Sequence, residues 1–557
     1  MIIPSLRRLF RLPRQSCGSE LESEWIAMGD GTHLATHHYW PIDVRGHAPS
    51  VLIRTPHGAR SGLSWLGVAA RLIAESGYHV IVQDVRGRYA SEGEFVPFAN
   101  ERRDGADTMA WLVDQPWCEG AVGLFGASYL AYTAWCIAAE TPSEVGAIST
   151  QIGSGDLYGL FYPGGAFALS VALEWSLGMG EHEAVPAHRI DLERGLEHLP
   201  VREADRVGLR TIDWYRDWVD HPQNDDYWQA MRAAIPETPP PALLIAGWYD
   251  FFLALQVSDF GALEEAAHEA GSAAPRLVIG PWSHGLSAKL AWWRHGIAGV
   301  ALRETVAHFD RHLKESAKTR VEPAVRYFRA GDDAWLESEQ WPPADTSSRS
   351  LHLRADGSLD WSPANETEGE RSYRYDPASP TPTRGGALFG LKGGVKDQRN
   401  RVYRRDLLVY ESSPMDAPLV LTGTVVLHLY LRSDAENLDL AAKLIDVHPN
   451  GRAENICDAL LRRRLAEPPV DGGETRTTSP SPAQQWTVEL GAVACVLRAG
   501  HSIRLELASA NFPRLDRNPG VCAAPGMARR DDLRAAEQSV LHDPQHASHL
   551  VLPIAPA

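Results

Sequence analysis

Between residues 50 and 150 the apolar positions come in short unbroken runs instead of alternating with polar ones. Residues 50–55 (SVLIRT), 78–82 (YHVIV) and 121–125 (AVGLF) predict strands buried on both faces. Residues 66–75, 104–113 and 129–139 predict helices between and after them, with Asp104 near one helix start. Strands without polar alternation, separated by helices, predict a mostly parallel sheet covered on both sides. The pattern breaks after about residue 155. Residues 156–235 are rich in Trp and Tyr, predict helices such as 212–219 (IDWYRDWV) and offer no clear strand. Apolar runs at 241–246 and 277–279 restore the strand signal, and 297–313 predicts an amphipathic helix. The helical block is therefore an insertion within an α/β domain, where a lid or cap would sit.

Beyond about residue 320 short β-like runs recur between Pro, Gly, Asp and Ser turns: 325–328, 351–353, 419–421, 425–431, 441–447 and 503–507. They predict an antiparallel β-sandwich, most simply a jelly roll. The polar, Pro/Gly-rich stretches 366–386 and 467–484 predict exposed loops. The expected organisation is a catalytic unit over 1–155 and 236–320, a helical cap over 156–235 and a β-sandwich over 321–557. No period of solenoid length appears.

Composition changes this picture little. The 557 residues suit three or four domains at ~150 residues each. With 44% hydrophobic and 22% charged residues, disorder and coiled coil are excluded. The net charge of −17 gives no overall field for nucleic acid and is read as solubility. The 6 cysteines (17, 118, 136, 457, 495, 522) form no C-x-x-C pair and no disulfide scaffold; Cys118 and Cys136 are expected as buried thiols. No apolar run approaches the ~20 residues of a membrane span. The N-terminal Arg7, Arg8, Arg11 and Arg14 lack the apolar core of a secretory signal and predict a short leader, frayed or docked as a surface helix. The expectation is a cytoplasmic protein.

The segment Val122-Gly-Leu-Phe-Gly-Ala-Ser128-Tyr129 runs a buried strand straight into a helix. A serine on such a turn is lifted clear of the sheet, and the helix N-terminus aims free backbone N–H groups at any oxyanion formed there. The general pattern is G-x-S-x-G, but its fifth position here is Leu130, with Ala131 the nearest small residue. A serine capping a helix is by itself unremarkable. Its hydroxyl needs a base to remove the proton, and the base needs a carboxylate to orient it. In α/β-hydrolases the chain order is Ser, Asp or Glu, His. Asp250 follows the strand 243–246 within Gly247-Trp-Tyr-Asp250, and His284 follows 277–279 within Gly280-Pro-Trp-Ser-His284. Both stand at carboxyl ends of strands, where open parallel sheets place their sites.

These pieces, taken with Met28-Gly-Asp-Gly31, Arg54-Thr-Pro56, Gln83-Asp-Val-Arg-Gly87 with Ser91-Glu-Gly93, Ala441-Ala-Lys-Leu-Ile-Asp-Val447 and Asn511 to Pro519 (NFPRLDRNP), resemble the cocaine esterase-like (CocE/NonD) hydrolases. These are relatives of the X-prolyl dipeptidyl aminopeptidases and α-amino acid ester hydrolases, and the likeness spans nearly the whole chain. The resemblance implies an α/β-hydrolase with an inserted helical cap and a C-terminal jelly roll. It implies Ser128 as nucleophile, His284 as general base, Asp250 as its carboxylate and the Tyr129 N–H as half of an oxyanion hole. Members usually carry a tyrosine after the R-x-P segment as the other half; here the position holds His57, whose imidazole can donate in its place. Ala131 stands where glycine is common. Trp175 and Phe252 resemble acyl-pocket aromatics, which suit a bulky or aryl acyl group. Amine recognition would need carboxylates, for which only Asp156 and Glu174 offer themselves. Asp84 and Arg86 are expected to form a structural ion pair bracing the loop below the site. The implied activity is hydrolysis of a carboxylic ester or amide through an acyl-enzyme. An X-prolyl dipeptidyl aminopeptidase or α-amino acid ester hydrolase/β-lactam acylase is the alternative, followed by an acyltransferase or a non-catalytic scaffold. A small-molecule substrate is expected, with no nucleic-acid partner and a homodimer allowed. No cofactor and no metal are expected, since H-E-x-x-H and clustered Cys/His motifs are absent.

Overall fold

The computed structural model describes residues 2–13, 15–42, 48–59, 65–314, 322–364, 369–465 and 482–556. Arg14 and most of the loop expected over 467–484 lie outside them.

The first sheet is built from β1 (Gly18–Ala27), β2 (His33–Ile42), β3 (Ser50–Thr55), β4 (His79–Asp84), β5 (Val122–Ala127), β6 (Val145–Gln151), β7 (Ala242–Tyr249), β8 (Arg276–Ser283), the short β9 (Leu286–Ser287), β10 (Val325–Arg329) and β11 (Ala334–Ser338). Their order across the sheet is β1-β2-β4-β3-β5-β6-β7-β8-β10-β11, with β9 paired to β8. From β4 to β10 every neighbouring pair is parallel. The strands with unbroken apolar runs are the interior ones: every residue of β3, β4, β7 and β8 is buried. The helices Trp65–Ala74, Glu101–Val113, Tyr129–Glu140, Leu253–Ala270 and Ile297–Leu313 belong to the same α/β unit. This is the α/β-hydrolase architecture, and Ile297–Leu313 falls where the sequence placed it.

Between β6 and β7 the described residues form helices and no strand, including Leu169–Met179, Asp213–Asp220 and Asp226–Met231. Their aromatic residues supply the packing: Phe161 stacks on Trp218 at 4.2 Å, and Trp218 and Trp228 are fully buried. These aromatics belong to one continuous core with the buried residues of the first sheet.

The second sheet is largely antiparallel and holds 11 strands. Its longest strand, Leu419–Ser433, shows the alternation that a sheet with one core face requires. Val425, Leu427, Leu429 and Leu431 are buried, whereas Val426, His428 and Tyr430 are half-buried. The sequence split this strand in two at Gly423, whose φ of 136° interrupts the apolar run without ending the strand.

Three further expectations change. Residues 325–329 open no sandwich: β10 pairs in parallel with β8 and extends the first sheet, because its partner surface is the free edge of β8. The segment 366–386 is not simply an exposed loop, since Arg371–Tyr375 is a strand with Tyr373 and Tyr375 buried. Asp84 and Arg86 do not pair with each other. Asp84 Oδ1 accepts the Ala59 N–H at 2.7 Å, while Arg86 pairs with Asp104 at 2.6 Å and Asp30 at 2.9 Å. Each therefore braces a different partner: Asp84 the chain after His57, Arg86 the helix Glu101–Val113 and the turn at Asp30.

The N-terminal helix Ile2–Leu9 is docked: the buried Arg7 guanidinium donates to the Leu72 carbonyl and Ser76 Oγ. All six cysteines are free thiols; Cys136 is buried, as expected, and Cys118 only half-buried. No helix among the described residues is long and apolar enough to cross a membrane.

Candidate active site

Ser128, Asp250 and His284 follow β5, β7 and β8, so three carboxyl ends within four adjacent parallel strands converge on one place. Ser128 Oγ lies 3.0 Å from His284 Nε2, and His284 Nδ1 lies 2.8 Å from Asp250 Oδ2. The second Asp250 oxygen accepts the Phe252 N–H at 2.8 Å, and its side chain is fully buried. With one oxygen held by backbone, the carboxylate cannot rotate away from the imidazole. An Nδ1–H facing Asp250 leaves Nε2 as an acceptor toward the serine hydroxyl.

The serine is held in a strained turn. Its backbone has φ 58° and ψ −123°, a conformation costing a non-glycine residue ~1–3 kcal/mol. Close backbone approach enforces the turn: a Cβ on Gly126 would fall 2.0 Å from the Leu130 carbonyl oxygen. The missing glycine at 131 is explained across the contact. A Cβ on Gly153 would meet the Ala131 methyl at 2.6 Å, so the space a glycine would save at 131 is saved at 153 instead.

Tyr129 opens the helix Tyr129–Glu140, so its N–H has no intrahelical acceptor and faces the region above Ser128. Its side chain anchors that helix start. The hydroxyl donates to Glu101 Oε1 at 2.8 Å and accepts the Phe98 N–H at 2.9 Å. Glu101 in turn pairs with the buried Arg54 at 2.7 Å, and burial pushes the Glu101 carboxyl up. The Arg54-Thr-Pro segment therefore acts through Glu101 on the serine turn, a link invisible in the sequence.

His57 keeps solvent contact, yet sits among enough protein to be perturbed. Burial, then the Arg88 guanidinium, push its imidazole down to about 4. It is neutral at pH 7 and carries one N–H to offer.

Trp175, on the cap helix Leu169–Met179, stacks on Tyr129 with centroids 5.8 Å apart and planes 8° from parallel. Ser128, Tyr129, Trp175, Phe251, Phe252 and Phe389 line one cavity. It is narrow, about 30 Å³, room for ~2 waters, so an acyl group enters only as aromatic walls turn aside. Among the described residues no Asp or Glu lines it. Asp156 instead caps a helix, accepting the Gly159 N–H at 2.9 Å. Two further aromatic residues flank the His284 imidazole. Phe251 stacks on the His284 ring at 4.3 Å, and Phe389, from the C-terminal region, meets its face edge-on at 5.3 Å. The only sequence signal for Phe389 is the glycine-rich stretch around it (385, 386, 390, 393, 394).

A second constellation lies outside this site. Among the described residues Asp446, His448 and His501 bring three metal-ligating atoms within 4.8 Å of one another. The absence of local motifs had argued against any such group, but this one is assembled from separate strands.

The family profile for the X-Pro dipeptidyl-peptidase (S15 family) matches residues 30–286, and that for the X-Pro dipeptidyl-peptidase C-terminal non-catalytic domain matches 318–551. The chain is 34% identical to a cocaine esterase of Rhodococcus sp. (strain MB1 Bresler), covering 95% of this chain and 97% of that protein. Among solved structures, an α-amino acid ester hydrolase superposes with a TM-score of 0.82 at 24% identity, covering 98% of both chains. An aminopeptidase from a marine-sediment Thaumarchaeota archaeon superposes with a TM-score of 0.81 at 23% identity, again covering 98% of both. These last two likenesses concern the fold alone.

Proposed function

This chain belongs to the cocaine esterase-like (CocE/NonD) branch of the X-Pro dipeptidyl-peptidase-like family and is a serine hydrolase of ester or amide bonds, and we propose that Ser128, His284 and Asp250 carry its chemistry on a substrate with a bulky or aromatic acyl group. Ser128 Oγ attacks the acyl carbon while His284 Nε2 takes its proton. Asp250 keeps the Nδ1–H tautomer and stabilises the imidazolium. The Tyr129 N–H and the neutral His57 hold the oxyanion. His284 then protonates the leaving group, and a water deprotonated by the same nitrogen releases the acid from the acyl-enzyme.

The observation that carries this reading is the unbroken hydrogen-bond chain from Ser128 through His284 to Asp250, mounted on a strained turn above a helix N-terminus. The acyl group is assigned to the aromatic slot beneath Trp175. Its lack of carboxylates favours an ester with an apolar acyl part over a substrate recognised by a free amine. The same reading assigns residues 156–235 as a cap over the slot and the C-terminal sheet as a jelly roll that walls it through Phe389.

Fluorophosphonate labelling tests the nucleophile: the wild type takes the label on a single serine and Ser128→Ala does not. A screen of p-nitrophenyl esters, aminoacyl anilides and β-lactam amides tests the substrate class. Aryl esters are expected to be turned over fastest; preference for free-amine substrates would overturn the assignment.

A further inference from the structure

The cluster Asp446, His448 and His501 sits where three antiparallel strands end side by side. The register pairs Asp446 with Ile503 and Val447 with Ser502 on one flank, so His448 and His501 meet one step beyond the ladder. On the other flank Asp446 pairs with Glu454. Four side chains of metal-ligating type are thereby gathered on neighbouring strand ends.

Their spacing is that of a site loosely drawn around a gap. His501 Nδ1 lies 2.7 Å from Asp446 Oδ1, and the two histidine rings are 4.3 Å apart. His448 Nε2 is buried and makes no hydrogen bond; its nearest acceptors, Asp446 Oδ2 and Glu454 Oε2, stand 3.5 and 3.8 Å away. An orphaned buried nitrogen is costly, and here it points between two carboxylates. In a tetrahedral site with bonds of ~2.0–2.1 Å, ligand atoms stand ~3.3 Å apart. The observed separations bracket that value, so small side-chain shifts would complete the geometry.

We infer that Asp446, His448 and His501 form a binding site for a divalent transition-metal ion of the Zn²⁺ class, with its fourth position facing Glu454. Two imidazoles with carboxylate oxygens suit Zn²⁺ or Co²⁺; Ca²⁺ and Mg²⁺ prefer oxygen alone. The cluster opens on a cavity of about 330 Å³ between the two sheets, whose wall includes Trp248 and Tyr249, giving the ion a route from solvent. Glu454 also holds Lys289 of the hydrolase unit at 2.6 Å, which links the site to the boundary between the units. The ion's role is structural: it joins the end of the strand Asn437–Val447 to the turn before Ser502–Ala508. It stands independently of the acyl-transfer chemistry assigned to Ser128.

The test uses full-length protein without a histidine tag, stripped with chelator and titrated with ZnCl₂ or CoCl₂. One ion per chain is expected, with a Tm rise of roughly 3 °C or more at saturation and a Co²⁺ visible absorption typical of low coordination number. His448→Gln and Asp446→Asn should each weaken binding by more than ~100-fold, since even indirect partners of metal ligands are worth ~10–100-fold. Ser128→Ala should bind as the wild type does. Absence of a stoichiometric ion from the folded wild type overturns the inference, and so does unchanged affinity in His448→Gln. If a variant does not fold, the wild-type stoichiometry and Co²⁺ spectrum decide alone.

Discussion

Two of the Asp–His pairs among the described residues are of nearly equal length, Asp250–His284 at 2.8 Å and Asp446–His501 at 2.7 Å. Hydrogen-bond geometry does not distinguish them. What differs is the surroundings. The first imidazole presents its far nitrogen to a serine on a strained turn, beside a helix N-terminus and under the stacked ring of Phe251. The second faces another histidine and, beyond it, a second carboxylate, with no hydroxyl nucleophile among the cluster. An Asp–His pair by itself is thus no signature of catalysis; the group opposite the imidazole decides whether it can serve as a base.

Ways to break that contrast run from large to small effects. Ser128→Ala should lower kcat on a p-nitrophenyl ester by ~10⁴- to 10⁶-fold, and Asp250→Asn by ~10⁴-fold, with the fold retained by circular dichroism. Residual activity above a few per cent in Ser128→Ala would leave the first pair without a nucleophile to serve. His57→Ala should cost ~10²–10³-fold in kcat with little change in KM, as expected for a donor felt mainly in the transition state. An unchanged kcat would remove His57 from the oxyanion. Trp175→Ala should lower kcat/KM for a benzoate ester by ~10-fold while affecting an acetate ester less; equal losses on both would mean Trp175 only packs the cap. The smallest effect concerns pH. His57, pushed down to about 4, is already neutral above about pH 5, so only one proton should be seen on the acid limb of kcat/KM between pH 5 and 8. A limb of slope two would bring a second histidine into the chemistry.

Legibility followed the same contrast. The first pair could be read because Asp250 and His284 each end an apolar run whose every residue is buried, and such runs mark interior parallel strands. β1 gave no signal, since Glu20, Glu22 and Glu24 fill one face of an edge strand whose other face, with Leu21, Ser23 and Trp25, is exposed as well. β2 was masked by His37 and His38, which are buried, with one ring nitrogen of each in contact with Ser23 or His79. Leu253–Ala270 escaped because its buried residues are few and set among small and acidic ones. Phe389 and Glu101 serve the site from segments whose local pattern says nothing of their target.

The sequence by itself determined which segments are buried strands, where the helical insertion interrupts them, and which polar residues stand at strand ends in hydrolase order. Those properties belong to periodicity along a continuous chain. The tertiary structure alone decided that β10 completes the first sheet, that Gly153 makes room for Ala131, and that Asp446, His448 and His501 share one gap. Each of these depends on which strand lies beside which and in what register, and residues brought together across a ladder leave no fixed spacing along the chain.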